Sequence, residues 1–416
     1  MRLTERSRRL LGLCLVGLAV WAGGYARKSP APLQEAMRAA LELSDNQLAL
    51  MQGPAVALSI MAGAIPIGLL VDRYCRARLL LVFVALDLAG SILTGLSSEF
   101  IMLFVARSVV GLAETGSLIA AFSLVADLSL PAQRGRASMV IGGGSELSAP
   151  VAFAVGGALL VHFGASANAW REAMLWMTIP PIAVIAVLML RLPEPPRTGV
   201  IVKNPPLRAA LARLWSHRSL FLPLLVGRCT VWVADGATVI WATPYLSRTY
   251  GLSPDRIGQI MGVVMLVTSI GSTLAGGFLA DLCHRAGGPR TTMRALSAVA
   301  LLSVPASLFG LSPNVTVAAA LLGVFILLGF VTNMAGSALS TIVIPNEVRG
   351  TFLSMTMVFG SSFGVALAPM LVSWLSGELG GPQMVGRALM VVCVTFSVLA
   401  TATFAIGSHF FPRVAS

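Results

Sequence analysis

Charge is what this sequence has least of. Asp, Glu, Lys and Arg make up 11% of its 416 residues, against about 25% in a soluble domain, so most of its surface does not face water. Lysine is nearly missing: Lys28 and Lys203 are the only two among 29 basic residues. The four histidines are scattered, and Cys14, Cys75, Cys229, Cys283 and Cys393 show neither a CxxC pair nor metal-ligand spacing. A metal centre and a disulfide framework are therefore not expected, and the cysteines read as structural. The sequence also lacks a nucleophile motif, a paired His or Asp set at catalytic spacing, and a nucleotide-binding glycine loop. That argues against an intramembrane enzyme and an ATP-driven pump. No cofactor is expected.

What is present is apolar. Hydrophobic residues make up 56% of the chain and the mean hydropathy is +0.85. A helix crosses a bilayer with about 20 apolar residues. Apolar runs fall at roughly 10–34, 50–72, 78–97, 100–127, 136–162 and 172–192, and again at 219–245, 257–281, 294–311, 315–344, 351–378 and 385–409. The expected fold is an all-α membrane protein of twelve transmembrane helices in two six-helix halves, 1–192 and 219–416, joined by a basic linker over 193–218. The first run follows Arg2–Arg9 and resembles a signal peptide, but so many spans follow that it reads as an uncleaved first helix.

The net charge of +12 suggests nucleic acid, yet the charges form no basic face. They sit at the ends of the apolar runs, so no nucleic-acid partner is expected. With the N-terminus inside, 20 of the 29 basic residues fall on inside segments, which makes both termini and the linker cytoplasmic. The preference for Arg over Lys fits a GC-rich bacterial genome, and with it a multi-pass protein of the inner (plasma) membrane.

The halves repeat. Span 2 ends in Gly68-Leu-Leu-Val-Asp72-Arg73-Tyr-Cys75-Arg76-Ala-Arg78, and span 8 in Gly277-Phe-Leu-Ala-Asp281-Leu-Cys283-His284-Arg285. The loop after span 4 has Pro131-Ala-Gln-Arg134-Gly135-Arg136, and that after span 10 has Pro345-Asn-Glu347-Val-Arg349-Gly350. The first of these is similar to the loop signature of the major facilitator superfamily, with Cys75 where the pattern usually has Gly. The resemblance implies a secondary transporter and a cytoplasmic gate formed by Asp72, Arg73, Arg76, Asp127, Arg134, Asp281 and Arg285. The plainer alternative is that these arginines only enforce topology. A narrower series runs from Leu43-Ser44-Asp45-Asn-Gln47 through Ala106-Arg107 to Glu114-Thr-Gly116, then Trp170-Arg171 and Pro193-Glu194-Pro-Pro196-Arg197. It resembles the spinster-like and organic-anion branches of that superfamily.

A charge inside a span costs several kcal/mol, so each one is a candidate for a transport role. Arg107 and Glu114 stand seven apart in span 4, as do Arg228 and Asp235 in span 7; two helical turns put each pair on one face. In spinster-like relatives the span 4 pair faces the cavity, which makes Glu114 the proton-coupling candidate; a fixed salt bridge is the alternative. Span 1 of those relatives carries an Asp-Arg pair, whereas here Ala26 takes the Asp position beside Arg27 and Lys28. Uncompensated cations favour an anionic substrate, unless Arg27 and Lys28 snorkel to the outer interface. Pro30 and Pro32 then break the helix.

Glu146, in the glycine-rich span 5, is a further proton-coupling candidate or a hydrogen-bonded structural acid, and Asp235 a third. Asp87 in span 3 is similar. Arg228 and Asn333 join the substrate-binding candidates, although Asn333 serves a neighbouring helix equally well. Trp241 and Tyr245 read as interface-belt residues. The expected function is movement of a small organic anion or anionic amphiphile, a lysolipid-like one included, by proton-linked alternating access. Its partners are that substrate, protons and the lipid bilayer, and it acts as a monomer. The alternatives are a proton-driven efflux pump for hydrophobic drugs and a transporter-fold receptor that moves nothing.

Overall fold

The structure is a computed structural model and describes residues 5–129, 134–164, 166–192, 194–195, 207–216, 218–344 and 346–411. The described residues are almost wholly helical, with no strand among them. Sixteen α-helices follow in order. They are α1 (Glu5–Lys28), α2 (Gln34–Ala40), α3 (Asp45–Gln52), α4 (Pro54–Arg73), α5 (Arg76–Leu96), α6 (Phe100–Leu128), α7 (Arg134–Phe163), α8 (Ala169–Trp176) and α9 (Ile179–Arg191). Then come α10 (Leu207–Ser216), α11 (Arg218–Tyr250), α12 (Pro254–Ala306), α13 (Val315–Val343), α14 (Asn346–Phe359), α15 (Ala368–Glu378) and α16 (Val385–Phe410).

Ten segments of the described chain are long and apolar enough to cross a membrane. One of them, Pro254–Leu311, has 58 residues, more than twice what one crossing needs. It breaks at Gly287 and at Gly288, whose φ of 69° and ψ of −153° lie in a region that only glycine occupies readily. Read as two crossings, it supplies the expected spans 8 and 9. The stretch from α14 through α15 supplies another: a π-helical segment, Gly360–Leu367, interrupts its α-helix. Ten segments meet the length and apolarity of a crossing outright, and these two readings are what a count of twelve requires.

The outer surface is inverted relative to a soluble protein. Ile65, Leu190, Leu274, Phe278 and Ile101 are each more than two-thirds exposed, which suits hydrocarbon and not water. Polar local signals survive inside this apolar text. Ser44 and Gln47 form a capping box at the start of α3, with Ser44 Oγ accepting from Gln47 N, so the Ser-Asp-Asn-Gln motif begins a helix. Arg38 pairs with the adjoining Asp45 at 3.2 Å.

The chain divides into two compact units, Met1–Val200 with Gly251–Leu266, and Ile201–Tyr250 with Val267–Ser416. In the first, α6 is the central element. Gly111 lets it lie against α4, because a Cβ there would come 2.7 Å from Val56 O. The start of α12 belongs to this unit: a Cβ on Gly157 of α7 would meet Pro254 O at 2.7 Å and Gly258 Cα at 2.9 Å. In the second unit α11 is central, and Trp232 lies against Gly360 and Gly364 of the π-helical segment.

Candidate functional site

In the first unit the intramembrane charges gather where α1, α5, α6 and α7 meet. Arg27 Nε donates to Glu114, 2.9 Å from Oε1 and 2.8 Å from Oε2. The Arg27 side chain is 31% exposed and that of Glu114 only 9%, so Arg27 is the member of the pair that reaches open space. Arg107 is fully buried and does not pair with Glu114. It donates from Nη1 to Ala26 O at 3.2 Å and from Nη2 to Arg27 O at 2.6 Å. These carbonyls belong to the last turn of α1, whose partial negative charge a guanidinium offsets. Arg107 thus fixes the end of α1 and aims Arg27 at Glu114. Lys28 Nζ reaches across to Ser145 O of α7 at 2.7 Å. Glu146, next along α7, is within coulombic range of both Arg27 and Lys28.

The expected face of α6 is real, but its partners come from α1. The seven-residue spacing places Arg107 and Glu114 on one side of the helix, and span 1 supplies a carbonyl ligand to one and a cation to the other. Neither Arg27 nor Lys28 reads as a snorkelling interface residue here, since each ends on a group of another helix.

The second unit holds a parallel but different arrangement. Arg228 and Asp235 are each 6% exposed and do not pair with each other. Arg228 Nη2 donates to Ser337 Oγ at 2.9 Å and Nη1 to Ser340 Oγ at 3.5 Å, and the guanidinium lies 4.8 Å from the centre of the Trp232 ring. Asn333 Nδ2 donates to Asp235 Oδ2 of the neighbouring helix at 2.9 Å. Two glycines of α13 make room. Gly336 faces Arg228, with 3.3 Å from a Cβ to Cδ, and Gly329 faces the Asp235 carboxylate. Gly329 and Gly336 repeat the seven-residue spacing of Asp235 and Arg228, running the other way. That spacing is a signal the sequence carries.

Trp241 and Tyr245 are corrected by the structure. Both are buried, with Trp241 Nε1 donating to Pro369 O at 3.1 Å and the Tyr245 hydroxyl to Phe309 O at 2.7 Å. They are interior supports of the second unit and not part of an interface belt.

Of the gating candidates, Arg76 and Asp127 come together. Arg76 Nη1 forms an ion pair with Asp127 Oδ2, while Nε donates to Glu194 Oε1 at 3.0 Å and Nη2 to Pro195 O at 2.9 Å. Glu194 Oε2 accepts from Ala77 N at 2.6 Å and from Cys75 Sγ at 3.3 Å. Burial works against the Glu194 charge, but the Ala77 N–H, the Arg76 guanidinium and the Cys75 thiol together hold its carboxyl below the usual range. Cys75, at the position where glycine is usual, thus contributes a donor. Asp72, Arg73, Asp281 and Arg285 are exposed on their own units. The side chain of Arg134 lies outside the described residues.

Apolar helices carrying a few buried charges define a polytopic membrane protein, and comparisons with known proteins narrow the class. The profile of the Major Facilitator Superfamily matches residues 11–369. An MFS-type efflux pump of Mycolicibacterium smegmatis is 25% identical over 96% of this chain and 92% of its own length. The 3-(3-hydroxyphenyl)propionate transporter of Escherichia coli K12 is 25% identical over 83% of this chain and 78% of its own. A crystal structure of a bacterial homolog to the human lysosomal transporter spinster, inward-facing and unoccupied, matches with a TM-score of 0.82 at 22% identity. It covers 99% of this chain and 98% of that one. The chain belongs to the Major Facilitator Superfamily, and is a multi-pass integral membrane protein of the inner membrane.

Proposed function

We propose that the chain is a secondary active transporter that moves a small organic anion, a carboxylate on an apolar body, in symport with a proton by alternating access. One observation carries this reading. A partly exposed intramembrane cation, Arg27, is held by a buried carboxylate, Glu114, at 2.8 Å, so an entering anion and Glu114 compete for the same guanidinium. An anion displaces Glu114 only if Glu114 is relieved of its charge, because a carboxylate left alone in a buried site costs several kcal/mol. A proton on Glu114 provides that relief, and anion and proton then travel together. Lys28, steered by Ser145 and Glu146, adds a second cation to the site. Arg228, with Asp235 and Asn333, serves as its counterpart in the other unit. Arg76, Asp127 and Glu194 form a gate on the side expected to be cytoplasmic, and Asp72 and Arg73 at the end of α4, with Asp281 and Arg285 in the second unit, are further gating candidates.

The similarity to an aromatic-acid transporter supports a carboxylate substrate, and 3-(3-hydroxyphenyl)propionate is the first probe to use. In proteoliposomes, an inward pH gradient is expected to drive its uptake, and Arg27→Ala to abolish it. Glu114→Gln, which mimics the protonated acid, is expected to keep exchange but lose the response to the gradient. The similarity to an efflux pump along nearly the whole chain supports a second reading, export of hydrophobic compounds. Movement of neutral or cationic dyes only, unaffected by Arg27→Ala, would put that reading first.

A further inference from the structure

The carboxyl of Asp87, on α5, is the one intramembrane acid of the first unit that the scheme above does not use. It is 1% exposed, and neither of its oxygens has a hydrogen-bond partner. The groups that act on it electrostatically are Glu114, Ser117 and Arg107, all of α6. The Ser117 hydroxyl is itself without a hydrogen bond and does not reach bonding geometry with it. From α1 the covering residue is Gly23: a Cβ there would lie 2.9 Å from Asp87 Oδ2 and 3.8 Å from Glu114 Cα. Glycine at this position lets α1 close over Asp87 and brings the acid up against the backbone that carries Glu114. Among the described residues, α8 and α9, also packed on α5, bring no charged group to it.

An unpaired carboxylate in such a place costs several kcal/mol, whereas a neutral carboxyl missing its bonds costs about 1–3 kcal/mol. The neutral form is the one this environment holds. The charge count agrees with that. Arg27, Lys28 and Arg107 stand against Glu114 and Glu146, so the cluster keeps one uncompensated positive charge only while Asp87 carries its proton. That is the state that attracts an anion.

We propose that Asp87 is a resident proton site, a carboxyl that stores a proton beneath Gly23 and releases it to Glu114 when an anion takes Arg27. The inference rests on the anion-symport reading above. In the transfer the O–H bond of Asp87 breaks, a new O–H bond forms on a Glu114 oxygen, and the electron pair stays on Asp87. The resulting Asp87 carboxylate lies in the field of Arg107, whose Nε has no hydrogen-bond partner, until a proton from the entry side restores it. No oxidant or further reactant is needed.

The test compares wild type, Asp87→Asn and Gly23→Ala in proteoliposomes with 3-(3-hydroxyphenyl)propionate. Two quantities are read: exchange at equal pH, and accumulation against a one-unit pH gradient, which for one proton per anion supports about tenfold enrichment. Asp87→Asn is expected to lose the enrichment far more than the exchange. Infrared spectra of the purified protein at neutral pH are expected to show a protonated-carboxyl band that Asp87→Asn removes and that the acid shifts in wild type. Should Asp87→Asn not be recovered from the membrane, Gly23→Ala, whose methyl presses on Oδ2, must move the same band. Full enrichment in Asp87→Asn, or a wild type without the band, overturns the proposal. A wild type that shows the band but neither exchanges nor accumulates the acid refutes the anion-symport reading and leaves the stored proton standing.

Discussion

Arg27 and Glu114 differ in what each loses when the other is removed. Without Arg27, Glu114, whose side chain is only 9% exposed in the pair, loses its hydrogen-bonded cation and keeps only the more distant fields of Arg107 and Lys28, and a buried charge deprived of its partner is strongly destabilising. Without Glu114, Arg27 keeps its reach to open space and loses less. Arg27→Ala is therefore expected to lower thermal stability in detergent by roughly 2 kcal/mol, after discounting the screening that Arg27's exposure allows. The double variant Arg27→Ala/Glu114→Gln is expected to recover most of that loss and none of the anion transport. Melting curves and uptake assays on the two variants separate the structural part of the pair from the functional one. If the double variant is no more stable than Arg27→Ala, the cost of the buried carboxylate is not what holds the pair.

At the level of elements, α5, α6 and the segment after α9 meet on three side chains. Arg76 binds Asp127 on one side and Glu194 on the other, and Glu194 in turn caps the start of α5 through Ala77 N. A carboxylate accepting an N–H at a helix N-terminus is favourable because the helix end carries partial positive charge. The sign of the pH effect follows. The folded-state Glu194 is held below its ordinary range, so its contribution is complete above an unfolded value of about 4.3 and is lost only as pH falls through the lower folded value. Cys75 Sγ, which donates to the same carboxylate, offers a probe. With Cys75 as the only cysteine, Glu194→Gln is expected to raise its alkylation rate. The ratio of mutant to wild-type rates should stay constant from pH 7 down to about 5. A ratio that falls toward one across that interval would show that Glu194 titrates above its ordinary range.

Across the whole molecule, the sequence announced what depends on composition and periodicity and hid what depends on which helices touch. Span positions, the basic ends and the polar face of α6 are one-dimensional patterns; the apolar helices and the shared side of Arg107 and Glu114 on α6 are seen in the structure. That Glu114 meets Arg27, that Arg107 meets the carbonyls of α1, and that Glu194 completes the Arg76 cluster all depend on the register between helices far apart in the chain. A single sequence does not encode that register as a spacing. Trp241 and Tyr245 show the same limit, since an amphipathic ring near a span end suits a belt or an interior equally until its neighbours are known. Orientation in the membrane belongs to the first, legible kind, and it can be tested on the intact protein. Twenty of the 29 basic residues lie on one set of alternating segments, and basic loops resist translocation. A reporter active only in the cytoplasm is expected to work when fused after Ser416 or inserted in the 193–218 linker, and to fail when inserted in the loop between α7 and α8. The reverse result in both places would turn the molecule over. It would then place the Arg76–Asp127–Glu194 cluster on the outer side, and the gate proposed there would close the opposite end of the pathway.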